Sequence, residues 1–120
     1  DPRGKWGQGI SGDIKYDIAK IRHSVVGGFD TITNGLYSAT YDEKNGIKFD
    51  IYKPKNYQVI CEKLDSQIKQ NWNLDEIKMI EGLLFISMLP LHKDNLENQL
   101  AFYSIGIQRL NEIFGNVSQR

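Results

Sequence analysis

A chain of 120 residues, 40% apolar and 11% aromatic, is one domain long and can bury a single core. Its 15 Lys and Arg balance 15 Asp and Glu, so no net field draws it to nucleic acid or to an anionic membrane. Cys61, the single cysteine, has no intrachain disulfide partner and fits a reducing cytoplasm, and the most apolar run, Leu83 to Leu91, falls far short of the roughly 20 residues that span a bilayer.

In chain order, the first helical pattern covers Ile14 to Val25. Asp13 is placed to cap its free amides, and Ile14, Ile18, Ile21 and Val25 recur on one face. Gly27 and Gly28 end it. Asp30 to Leu36 reads as a shorter helical stretch, against the poor helix propensity of Thr31 and Thr33. Tyr37–Tyr41 and Ile47–Tyr52 then flank a polar segment, and Ile47, Phe49 and Ile51 alternate with Lys48, Asp50 and Tyr52. That pattern predicts a β-hairpin turning near Asn45-Gly46.

After Pro54 the period lengthens. Tyr57, Cys61, Leu64 and Ile68 mark a helix ending near Trp72. Asn73 with Glu76 resembles a capping box, and the helix behind it runs to about Leu89, where Pro90 stops it. Asp94 and Glu97 repeat the arrangement. Leu96, Leu100, Tyr103, Ile107, Leu110 and Phe114 then hold one stripe, with Gly115 the expected C-terminal cap. The expected fold class is mainly α with one small β-hairpin, residues 1–120 forming one domain without internal repeats.

Few residues carry chemistry on their own. Two His and one Cys make no zinc pattern. His23 lies beside Ser24, but no second acid and no exposed nucleophile is identifiable for a triad, and His92, after Pro90, reads as a packing or hydrogen-bonding residue. The spacing of Gly4, Gly7, Gly9 and Gly12 is not that of a Gly-rich phosphate cradle ending in Lys-Ser/Thr. Arg3 and Lys5 suit phosphate or plain solvation equally. Trp6, Trp72 and the tyrosines have faces that stack on sugars, though aromatics at such spacings are usually core. Asp75 and Glu76 suit a cationic substrate, and capping explains them as well.

The sharpest signal is an ordered set of short motifs: Asp1-Pro2-Arg3-Gly4, then Gly12-Asp13, then Tyr16-Asp17-Ile18-Ala19-Lys20 and His23-Ser24. With Ser87-Met88-Leu89-Pro90-Leu91-His92 and Asn98-Gln99, they resemble kinase-like phosphotransferases of the aminoglycoside and choline type. The likeness is to members found in bacterial capsule and surface-polysaccharide gene clusters. It implies that the chain is the helical C-terminal lobe of a kinase-like fold and a piece of a longer enzyme, which transfers the γ-phosphoryl group of ATP to a small-molecule acceptor. Asp1 takes the place of the carboxylate that holds nucleotide-bound magnesium, a role that needs one or two carboxylates beside the phosphates. Asp17 falls where the family braces its catalytic loop. The His-Gly-Asp-x-x-x-x-Asn loop itself has no counterpart here, so the chain alone is expected to be inactive.

Two partners follow from that likeness. One is the missing N-terminal half, which would supply the nucleotide-binding lysine and the catalytic Asp. The other is self-association through apolar area left uncovered around the first helix and Trp6. A self-contained helical binding or scaffold module in the same pathway is the alternative.

Overall fold

The computed structural model describes residues 10–118, and side-chain surroundings for residues 14–115. Its elements are α1 (Ile10–Val25), α2 (Phe29–Thr33), β1 (Tyr37–Asp42), β2 (Gly46–Ile51), α3 (Tyr57–Asn71), α4 (Leu74–Ser87), a 3-10 helix at Leu89–His92, and α5 (Leu96–Ser118). The fold is therefore mainly helical with one antiparallel hairpin. Tyr37 pairs with Ile51 and Asp42 with Gly46. Gly46 takes φ 74°, a value that glycine reaches without a Cβ clash, so it closes the turn where Asn45-Gly46 predicts one. Along β2, Ile47, Phe49 and Ile51 are half-buried while Lys48 and Asp50 are exposed.

α4 lies between α1 and α5. It reaches α5 closely because Gly82 faces Gly106: a Cβ on Gly106 would stand 3.1 Å from the Gly82 carbonyl oxygen and 2.7 Å from Ile86 Cδ1. Two apolar clusters flank this contact. One gathers Ile32, Ala39, Phe85, Ala101, Phe102 and Ile105 under the hairpin. The other joins Ala19, Ile68 and Ile77, with Trp72 against them. No helix among the described residues is long and apolar enough to cross a membrane.

Several local expectations are corrected. α1 begins at Ile10, so Asp13 lies inside the helix rather than capping it. α2 is shorter than predicted, Phe29–Thr33. α4 ends at Ser87, and Pro90 sits in the 3-10 helix that follows. α5 runs through Gly115 to Ser118. Its N-terminal cap is Asn95, whose Oδ1 accepts the Asn98 N–H at 2.9 Å, and Glu97 reaches instead to the Ala39 N–H. Asn73 does cap α4, accepting the Glu76 N–H at 3.1 Å, but the Glu76 carboxylate turns to Lys15.

The larger corrections concern which faces are buried. Ile14, Ile21 and Val25 are exposed, Ile21 by 52%, while Arg22 and His23 face inward. On α5, Leu96, Tyr103 and Phe114 are exposed and Ala101, Phe102, Ile105, Arg109 and Ile113 are buried. Periodicity identifies an apolar row but not its partner. The inward face of α5 is the one carrying Gly106, because only there does the backbone of α4 come close enough to exclude water from both helices.

Candidate functional site

The most built feature is a cleft of about 720 Å³ between β2 and α3, floored by α1 and α5. Beneath it lies Glu81 of α4, fully buried. An isolated carboxylate there would be prohibitive, and two arginines make it tenable. Arg22 Nη1 donates to Glu81 Oε1, and Arg109 Nε donates to Glu81 Oε2 at 2.9 Å.

The chain of charges continues outward with alternating sign. Arg22 holds Asp65 of α3 in a two-pronged contact, at 2.9 Å and 3.0 Å. Arg109 Nη1 reaches Glu112 at 2.8 Å, and Glu112 takes Lys78 at 3.1 Å. Burial works against the charge on Arg22, but the bonds to Asp65 and the charge and bond of Glu81 outweigh it, so its pKa is raised above the ordinary guanidinium range. The planar, forked guanidinium suits such two-sided pairing. No buried side-chain nitrogen or oxygen among the described residues lacks a hydrogen-bond partner. The network thus pins α1, α3, α4 and α5 to one another.

Tyr57, at the start of α3, donates its hydroxyl to the Val26 carbonyl. Its pKa is pushed up to about 12, first by burial and then by the Cys61 thiol one turn along, while Arg109 and Arg22 pull the other way. Such a phenol is a fixed donor at neutral pH rather than a base. Lys53 lies over the Tyr57 ring, 5.1 Å from its centroid.

Those of the residues singled out from sequence that the structure describes do not converge here. Asp1, Arg3, Lys5 and Trp6 lie outside the described residues. Asp17 is on the exposed side of α1. His23 is packed 4.0 Å from the Phe85 ring and 4.9 Å from Phe29, with Nε2 3.2 Å from Met88 Sδ. Burial lowers its pKa to about 4, with Asp30 pulling up and Lys20 further down. His92 packs edge-on against Phe102. Cys61 lines the cleft. Among the described residues, no group of three or more His, Cys, Asp or Glu gathers to hold a metal ion.

Sequence reasoning passed over Arg22, Glu81 and Arg109. A signal was present. Each sits in an i, i+4 row of apolar residues: Ile18, Arg22, Val26; Ile77, Glu81, Phe85; Ile105, Arg109, Ile113. A charge at the centre of such a row, matched by charges of opposite sign in other rows, marks a buried ion-pair cluster. No family model, no curated protein and no solved structure matches the chain.

Proposed function

We propose that the chain is the helical lobe of an ATP-dependent phosphotransferase for a small molecule, acting in capsular or lipopolysaccharide sugar biosynthesis. The reading is carried by the ordered motifs of residues 1–25, Asp-Pro-Arg-Gly, Gly-Asp, Tyr-Asp-Ile-Ala-Lys and His-Ser. The uncovered apolar row of α1 supports it: Ile14, Ile21 and Val25 are the kind of surface a second lobe covers. In this reading the second lobe supplies the nucleotide-binding lysine and the catalytic loop. Asp1 contributes a magnesium ligand, and Asp17 braces the loop.

Calorimetry tests the division of labour. Magnesium-ATP titrated into the 120-residue chain should give no saturable heat. With a nucleotide lobe supplied, binding and phosphoryl transfer should appear, and Asp1→Asn should abolish transfer with little change in melting temperature. Micromolar binding by the chain alone would defeat the reading.

One observation favours a second reading, a self-contained binding module. The cleft is walled and floored by this chain's own side chains, and its ion-pair floor needs no other lobe to satisfy it. Saturable binding of a small ligand in the cleft without any second lobe would favour that reading.

A further inference from the structure

The hairpin leaves one edge of its sheet open, and that edge faces the cleft. Just outside the paired residues, the Tyr52 N–H donates to the Leu36 carbonyl at 3.0 Å. Antiparallel ladders alternate, so in the observed register Ser38–Asp50 and Thr40–Lys48 are the hydrogen-bonded pairs. The intervening residues therefore aim their amide and carbonyl groups away from the partner strand. On β1 this is visible directly, since the outward Ala39 N–H is taken by Glu97 Oε2 at 3.3 Å. On β2 the outward groups belong to Ile47, Phe49 and Ile51. Among the described residues no side chain or backbone group bonds them.

The surroundings fit one added strand. Phe49 and Ile51 form one wall of the cleft, and Gln58, Cys61 and Glu62 of α3 form the other. Past Gln108 and Glu112 the cleft adjoins a second hollow of about 520 Å³ beside Ile47, with Tyr103 and Ile107 on its far side. The two together follow the whole edge of β2. A strand docks about 4.8 Å from its neighbour, and a hairpin from a second copy would carry its own second strand one spacing further, toward α3. The walls thus favour a single extended chain over a second copy of this protein. Charge narrows the choice. Asp65 and Glu112 are spent on Arg22 and Arg109, which leaves Asp50 and Glu62 facing Lys53 alone, one negative charge in excess.

We infer that the groove along β2 binds an extended, neutral to mildly basic peptide segment of another protein, added as a third strand through the main-chain groups of Ile47, Phe49 and Ile51. Affinity in this mode comes from backbone bonds and selectivity from alternate side chains. Every second residue of the segment faces the cleft floor and the others face solvent.

The test uses the 120-residue chain and a randomised heptapeptide library displayed on phage. Selected peptides are then made synthetically and titrated by fluorescence anisotropy, with amide hydrogen exchange read by NMR. Bound peptide should slow exchange at Ile47, Phe49 and Ile51 by about tenfold or more, with no comparable change at Ser38 or Thr40. Ile47→Pro removes an outward donor without touching the ladder, at an edge position that tolerates proline, and should weaken binding about tenfold in a chain that still unfolds cooperatively. Gln58→Trp narrows the groove from α3 and should do the same with β2 intact. The inference is overturned if no peptide is selected, if bound peptide leaves those three amides unprotected, or if both variants bind normally. It is equally overturned if the free chain is a dimer in sedimentation with those amides already protected, since a second copy then occupies the edge.

Discussion

Two buried regions of this protein are held by opposite means. Under the hairpin, Phe85, Phe102, Ile32 and Ile105 fill space with carbon. About one helical turn away, at Arg22, Glu81 and Arg109, the interior is filled with charge. In the first region each side chain contributes through its volume, so losses depend on the hole left behind. In the second, each charge is tolerable only because of its neighbours, and the contributions are coupled by sign.

The largest effect expected is from Glu81→Ala, which leaves two buried guanidiniums facing each other and should cost about 3–5 kcal/mol in denaturant melts. Phe85→Ala should cost about as much, through its cavity. The contrast lies in rescue. Replacing Arg22, Glu81 and Arg109 together by Met, Leu and Met should recover most of the loss, because Asp65 and Glu112 reach water at the cleft. If the triple replacement is as unstable as Glu81→Ala, charge coupling is not what holds this region.

Protonation tests the apolar side of the comparison. His23 is neutral among Phe29, Phe85 and Met88, and its pKa falls from 6.5 to about 4 on folding. The unfolded chain takes up a proton that the folded one refuses, so this contribution is fully present above pH 6.5 and is lost as pH falls toward 4. The slope approaches about 1.4 kcal/mol per pH unit in that window. His23→Phe should flatten the profile between those limits. An unchanged profile would mean that His23 is more hydrated than its packing indicates.

Gly106→Ala addresses the contact that separates the two regions. Its added Cβ meets Ile86 Cδ1 at 2.7 Å and the Gly82 carbonyl at 3.1 Å, and forcing α4 from α5 should cost about 1–3 kcal/mol. Because Glu81 and Phe85 both ride on α4, this variant should weaken both regions at once, visible as faster exchange of amides on α1 and α5 alike. The smallest effect is the control. Asn73→Ala removes only the cap of α4 and should cost about 1 kcal/mol, without altering the pH profile or the response to Glu81→Ala.

Much of this was legible in local chemistry. The hairpin, its turn at Gly46, the cap at Asn73 and four of the five helices follow from short-range rules, since periods of two and of three to four, a left-handed glycine and a free amide each act within a few residues. Where two local signals competed, the nearer geometry won. Asn95 rather than Asp94 caps α5, because its side chain stands three residues before the free Asn98 amide.

The cleft was not legible in the same way. Its floor rests on Glu81 beneath Arg22 and Arg109, and Glu81 lies 59 residues from Arg22 and 28 from Arg109 along the chain, so no local rule pairs them. Amphipathic spacing gave α1 and α5 an apolar row each but could not say whether that row meets a neighbour. The sequence determined which segments are helical and that one hairpin forms, because those outcomes depend on backbone dihedrals and bonds between close neighbours. The tertiary structure alone decided which faces turn inward, that three charges share one interior and that the β2 edge opens on a cleft, because these depend on how closely α4 and α5 approach at Gly82 and Gly106.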